Sequence, residues 1–90
     1  MRERILGPDA FPLAFTLREL ANLYADQSRY TEAEPLYQRA LKIQELINPD
    51  HPQVAITLTV YAHLLRKVER GPEADGLEER AKLIGLKFGA

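Results

Sequence analysis

The 90-residue sequence contains no cysteine, no tryptophan and a single methionine. Without cysteine, disulfides, thiol nucleophiles and thiolate metal sites are excluded, which fits a cytoplasmic protein. No apolar run reaches the ~20 residues that a bilayer-spanning helix requires, and the opening MRERIL does not have the pattern of a signal peptide. A charge excess of either sign is also lacking. Lys and Arg total 12 against 13 Asp and Glu, for a net charge of −1. That balance gives no overall electrostatic reason to bind nucleic acid or an anionic membrane. Histidine is scarce too. His51 and His63 lie in a linker and on a helix, far from the HExxH spacing of a zinc site, so no metal or other cofactor is expected. Glu32 and Glu34 could pass for a catalytic carboxylate pair, but they fall in the first turn of a helix, where negative charge is favoured. Thr31-x-x-Glu34 reads there as a capping box. Nothing assembles an enzyme's catalytic set.

Hydrophobic residues make up 46% and charged residues 28%, the balance of a folded domain rather than a disordered chain. The stretch from Leu17 to Ile47 organises it. Leu17, Leu20, Ala21 and Tyr24 fall at i, i+3, i+4 and i+7, and Ala33, Leu36, Tyr37, Ala40 and Ile43 repeat the stripe. The short polar break Asp26-Gln27-Ser28-Arg29 obliges the two helices to turn back on each other. Alanines at 21, 33 and 40 permit close approach.

The pattern then recurs. Pro8-Asp9 and Pro49-Asp50 are separated by 49 − 8 = 41 residues. At that offset Ala14, Thr16, Leu17, Ala21 and Leu23 match Ala55, Thr57, Leu58, Ala62 and Leu64. Arg29, Glu32, Ala33, Leu36, Arg39, Ala40 and Ile43 match Arg70, Glu73, Ala74, Leu77, Arg80, Ala81 and Ile84. The spacing predicts an all-α chain of four helices near 10–26, 30–47, 51–68 and 72–87, with Leu17, Ala21, Tyr24, Ala33, Tyr37, Ala40, Leu58, Ala62 and Leu65 buried. Each aspartate is expected to cap a first helix, with Pro12 and Pro52 in the first turn, where a missing N–H costs little. Gly76 and Gly85 each weaken the last helix by about 1 kcal/mol relative to alanine.

Leu20-Ala21-x-x-Tyr24 followed by Tyr30-x-x-Ala33-Glu34-x-x-Tyr37-x-x-Ala40 resembles a tetratricopeptide repeat (TPR), a helix–turn–helix unit. Asn22-Leu23-Tyr24, Glu34-Pro35-Leu36-Tyr37, Arg39-Ala40-Leu41 and the Pro-Asp linkers are similar to its longer, kinesin-light-chain-like version. Leu17 and Ser28 stand where the family usually has tryptophan and a mid-turn glycine. The resemblance implies an α-solenoid fragment of two repeats, 10–47 and 48–90, preceded by a linker and remnant at 1–9. MRERIL is similar to the last turn of a preceding second helix, with a frayed charged tail as the alternative. Glu78 replaces the aromatic found at Tyr37, and Tyr61-Ala62-x-Leu64-Leu65-Arg66 with Leu77-Glu78-x-Arg80-Ala81-Lys82 resembles the closing, capping repeat of bacterial arrays.

A second stripe, Arg18, Asn22, Ala25 and Arg29, runs beside the buried one, with counterparts Thr59, His63, Arg66 and Arg70 and with Lys67 adjacent. In the family such positions line a concave groove that binds peptides or a partner's helix. The resemblance therefore makes Phe15, Arg18, Asn22, Ile56, Thr59, His63, Arg66 and Lys67 candidate partner contacts, and the cations favour an acidic segment. The plainer alternative is a solvated charged face. Arg18 and Asn22 resemble half of the clamp that holds chaperone tails, but Val60 stands where that clamp has asparagine, so this specialisation is not expected. The expected role is a non-enzymatic interaction module for a protein or peptide. The alternative is a self-assembly element, a weak homodimer formed through Phe11, Leu13, Phe15, Leu20 and Leu23.

Overall fold

Small residues at regular spacing fix how the helices meet. Ala14, Ala21, Ala33 and Ala40 are wholly buried, and across these alanines helix α1, Ala10–Asp26, lies against α2, Tyr30–Ile47. Helix α3, Pro52–Lys67, pairs in the same way with α4, Gly71–Phe88. These are the four expected helices, with ends within one residue of the expected bounds. The computed structural model describes residues 10–88, and side chains from 12 to 86. The expectations for Met1–Leu6, the Asp9 cap and the side chain of Phe11 lie outside those residues.

The two hairpins stack through α2 and α3. Their shared core gathers Tyr37 and Leu41 from α2, Val54, Leu58, Tyr61 and Leu65 from α3, and Ala74 and Ile84 from α4. The Tyr37 and Tyr61 rings stack at 5.9 Å with planes 22° apart, a geometry that adds to plain burial. A smaller cluster of Ala14, Leu17, Ala40 and Ile43 fills the far end of the first hairpin. Eight of the nine residues expected to be buried are so; Tyr24 is only partly covered, with the Arg29 guanidinium 4.7 Å above its ring.

Both hairpin turns are built alike. Arg29 N donates to Tyr24 O and Ser28 N to Ala25 O; Arg70 N donates to Leu65 O and Glu69 N to Arg66 O. Each is a Schellman closure, which needs one residue in the left-handed region. Ser28 and Glu69 occupy it, at φ 63° and 64°. Each turn is then clipped by an arginine–glutamate pair, Arg29–Glu32 and Arg70–Glu73.

Two local expectations are corrected. Thr31 and Glu34 form no capping box: the N-cap of α2 is Arg29, with no side-chain cap bond, and Glu34 is drawn away to α3. The α3 N-terminus is capped by His51, not Asp50. His51 takes the extended conformation of an N-cap, and its Nδ1 accepts from Gln53 N at 3.0 Å. On α4, Leu83 and Leu86 are exposed.

Candidate functional site: a groove between the first helices

The right-handed turn of α1 sends Asn22, Ala25 and Asp26 to the side facing the C-terminal half of α3. There they meet Val60, His63, Leu64 and Lys67, and Tyr30 and Tyr37 of α2 complete an open groove of about 520 Å³. The Tyr37 hydroxyl donates to Asn22 Oδ1. That bond fixes the Asn22 amide and leaves its Nδ2 hydrogens as donors. Burial pushes the Tyr37 hydroxyl up to about 12, so it remains a neutral donor at any physiological pH. The charged lining consists of Lys67 and Asp26, one of each sign, beside His63.

Of the eight candidate contacts, the groove brings together Asn22, His63 and Lys67. Arg18 is only 5% exposed and is directed into the contact between helices. Its Nη1 donates to Gln53 Oε1 at 2.8 Å and to Thr57 Oγ1 at 3.3 Å, tying α1 to α3. Phe15 is half-exposed, its ring 5.2 Å from the Arg18 guanidinium. Ile56 and Thr59 lie elsewhere, in an apolar recess of about 440 Å³ between α3 and α4, with Ala55, Val60, Glu78, Ala81 and Lys82. Arg66 bridges to Asp75 at 2.8 Å and to Glu78. Arg70 likewise joins Glu34 and Glu73. Of Arg18, Arg66, Lys67 and Arg70, the four cations expected to greet an acidic ligand, all but Lys67 are thus engaged with partners in the molecule itself.

The sequence pattern missed Tyr30 and Tyr37 as groove residues. They are seven apart on α2, two turns along one face, and that spacing with a small Ala33 between them was the available signal. Tyr37, expected in the core, is indeed buried there as well.

Beneath the groove, Glu34 gathers the two repeats. Its carboxylate accepts from the Tyr61 hydroxyl at 2.7 Å and from Arg70 Nη1 at 2.9 Å, and Gln38 Nε2 donates to the Tyr61 oxygen at 2.8 Å. Arg70 holds the Glu34 carboxyl below the usual carboxylate range, with the Tyr61 hydroxyl assisting. Burial, reinforced by Glu34, pushes Tyr61 up to about 12. Among the described residues no group of acidic side chains and histidines could hold a metal ion. No helix there is long and apolar enough to cross a membrane.

Stacked antiparallel hairpins at a fixed period, with first helices lining a groove, define a helical-repeat solenoid, a class that works by holding other chains. More particularly, the chain belongs to the tetratricopeptide repeat family, whose profile matches residues 2–82. No curated protein matches it. Tetratricopeptide repeats generally mediate protein–protein interaction, and the family is typically non-enzymatic.

Proposed function

We propose that the chain is an interaction module that holds an extended segment of a partner protein in the groove between α1 and α3. The observation that carries this reading is the Asn22–Tyr37 bond. It immobilises an amide donor on the groove wall, where a bound main-chain carbonyl can accept from it at little ordering cost. Lys67 and His63 on the opposite wall favour an acidic side chain in the segment. The preference rests on these two residues and is tempered by Asp26, so it is milder than four free cations would give. The 41-residue period and the Pro-Asp linkers support the kinesin-light-chain-like subtype. Glu78, Glu79 and Lys82, standing where α2 has Tyr37, Gln38 and Leu41, support a closing role for the second hairpin.

The test is selection from a displayed peptide library, followed by fluorescence anisotropy on the recovered sequences. Peptides with an acidic residue are expected, and binding should fall at least about tenfold in Asn22→Ala and in Lys67→Glu, about 1.4 kcal/mol each. Ile56→Ser, in the other recess, should leave affinity unchanged. Binding that ignores Asn22 and Lys67 but is lost with Ile56→Ser would move the site to the α3–α4 recess.

A further inference from the structure

The exact period lets every residue of the first repeat be compared with its counterpart in the second, and one face of α1 stands out. Val54, Tyr61 and Leu64 of α3 are 0%, 7% and 2% exposed, covered where α3 sits in the core against α2 and α4. Their counterparts 41 residues earlier, Leu13, Leu20 and Leu23, are 41%, 38% and 54% exposed. Among the described residues the same face, built from the same pattern, is covered in the second repeat and exposed in the first.

From this we infer that the open face of α1 pairs with the same face of a second copy, the two helices running antiparallel about a two-fold axis. The spacing suits this occupant. Leu13, Thr16, Leu20 and Leu23 follow the alternating three- and four-residue steps of a coiled-coil seam. Turned about a point between residues 16 and 20, the seam is complementary to itself: Leu13 meets the second copy's residue 23, and Thr16 meets its residue 20. Such an isologous contact closes after two chains. The competing arrangement is head-to-tail, with α1 docking on α4 as α3 docks on α2. There α4 offers Glu78, Lys82 and Gly85 where α2 offers Tyr37, Leu41 and Gln44, so Leu20 and Leu23 would meet charge instead of an apolar ridge. Three half-exposed leucines are far less than the ~800 Å² per partner of a standard interface, so the dimer is weak, forming in roughly the 0.1–1 mM range.

Sedimentation equilibrium of the full chain tests this, from about 10 µM to about 1 mM, a span that should carry the mass from monomer towards dimer for an interface this small. The 10.2 kDa monomer should give way to a dimer and to nothing larger. Leu20→Glu with Leu23→Glu should remain monomeric throughout with an unchanged helical circular dichroism spectrum, while Ile56→Glu should dimerise as the wild type does. The chain has no native cysteine, so mixed Leu13→Cys and Leu23→Cys copies should join preferentially to each other under a short thiol cross-linker. A wild type that stays monomeric overturns the inference. So do species beyond a dimer, loss of dimer in Ile56→Glu, or preferential coupling of Leu13→Cys to itself.

Discussion

Arg18 and Thr57 show how much a single position can mean once its neighbours are known. Thr57 is fully buried, and its hydroxyl oxygen lies 2.7 Å from Gln44 Oε1, 3.1 Å from the Gln53 carbonyl and 3.3 Å from Arg18 Nη1. One hydroxyl thus joins α1, α2 and α3. Gln44 Nε2 has no hydrogen-bond partner among the described residues. Removing the hydroxyl by Thr57→Val would strand the other side of the Gln44 amide as well, and a buried polar group left unpaired costs about 1–3 kcal/mol. Urea denaturation should show a loss in that range, whereas Thr16→Val, at the exposed counterpart, should stay within about 0.5 kcal/mol of wild type. Glu34 supports a second expectation. Its carboxyl is held below the ordinary value of 4.5 by Arg70, so the stabilisation is complete above that value and fades as pH falls through the lowered one. Wild type should therefore lose more stability than Glu34→Gln between pH 7 and pH 3, and the two denaturation midpoints should converge in acid. Parallel curves would mean that Glu34 titrates alike in the folded and unfolded chains.

At the scale of elements, the helices and the place of the first turn are legible in the sequence, whereas the cap partners and the left-handed turn residues are not. Hydrophobic spacing identifies a helix because many residues vote for it, whereas a cap depends on one side chain with several possible partners. Glu34 satisfied the capping-box pattern, yet the Tyr61 hydroxyl and Arg70 offered it stronger partners from other elements. His51 took the cap expected of its neighbour because its ring nitrogen reached Gln53 N. Arg18 misled for a related reason: the stripe beside the buried one holds both groove and interhelix positions, and only the placement of α3 separates them. The turns carry a usable consequence. Ser28 and Glu69 hold the left-handed conformation that glycine adopts without a Cβ penalty, and both are exposed. Ser28→Gly and Glu69→Gly should each stabilise by about 0.5–1 kcal/mol after the added freedom of the unfolded chain is counted, read as raised melting temperatures with unchanged helicity. A loss from both substitutions would show that the backbone at these turns is not strained.

For the whole molecule the decisive contact is the joint between hairpins, because a solenoid's stability is the sum of its units and the interfaces between them. Within each hairpin the packing is local in sequence; between hairpins it rests on Tyr37, Leu41, Val54, Leu58 and Tyr61, with Glu34 and Gln38 bonded to the Tyr61 hydroxyl. The period made the two units readable in advance, yet the joint was only half visible, since Tyr61 replaces Leu20 and nothing in its own repeat announces a bond to Glu34. Removing that ring should therefore do more than subtract stability. Tyr61→Ala deletes the stack on Tyr37 and leaves Glu34 with Arg70 as its remaining cross-repeat partner, so the hairpins should cease to unfold together. The second hairpin should open first, since Gly76 and Gly85 weaken α4, and a Cβ at either position would meet no neighbour, so no close contact requires glycine there. Native-state hydrogen exchange should then show the amides of α3 and α4 exchanging from a lower-energy opening than those of α1 and α2, where wild type gives one shared opening for its slowest amides. Tyr61→Phe, which keeps the ring and loses the hydroxyl, should fall between them. A single shared opening in Tyr61→Ala would mean that the apolar contacts of Leu41, Val54 and Leu58 alone suffice to make two repeats behave as one.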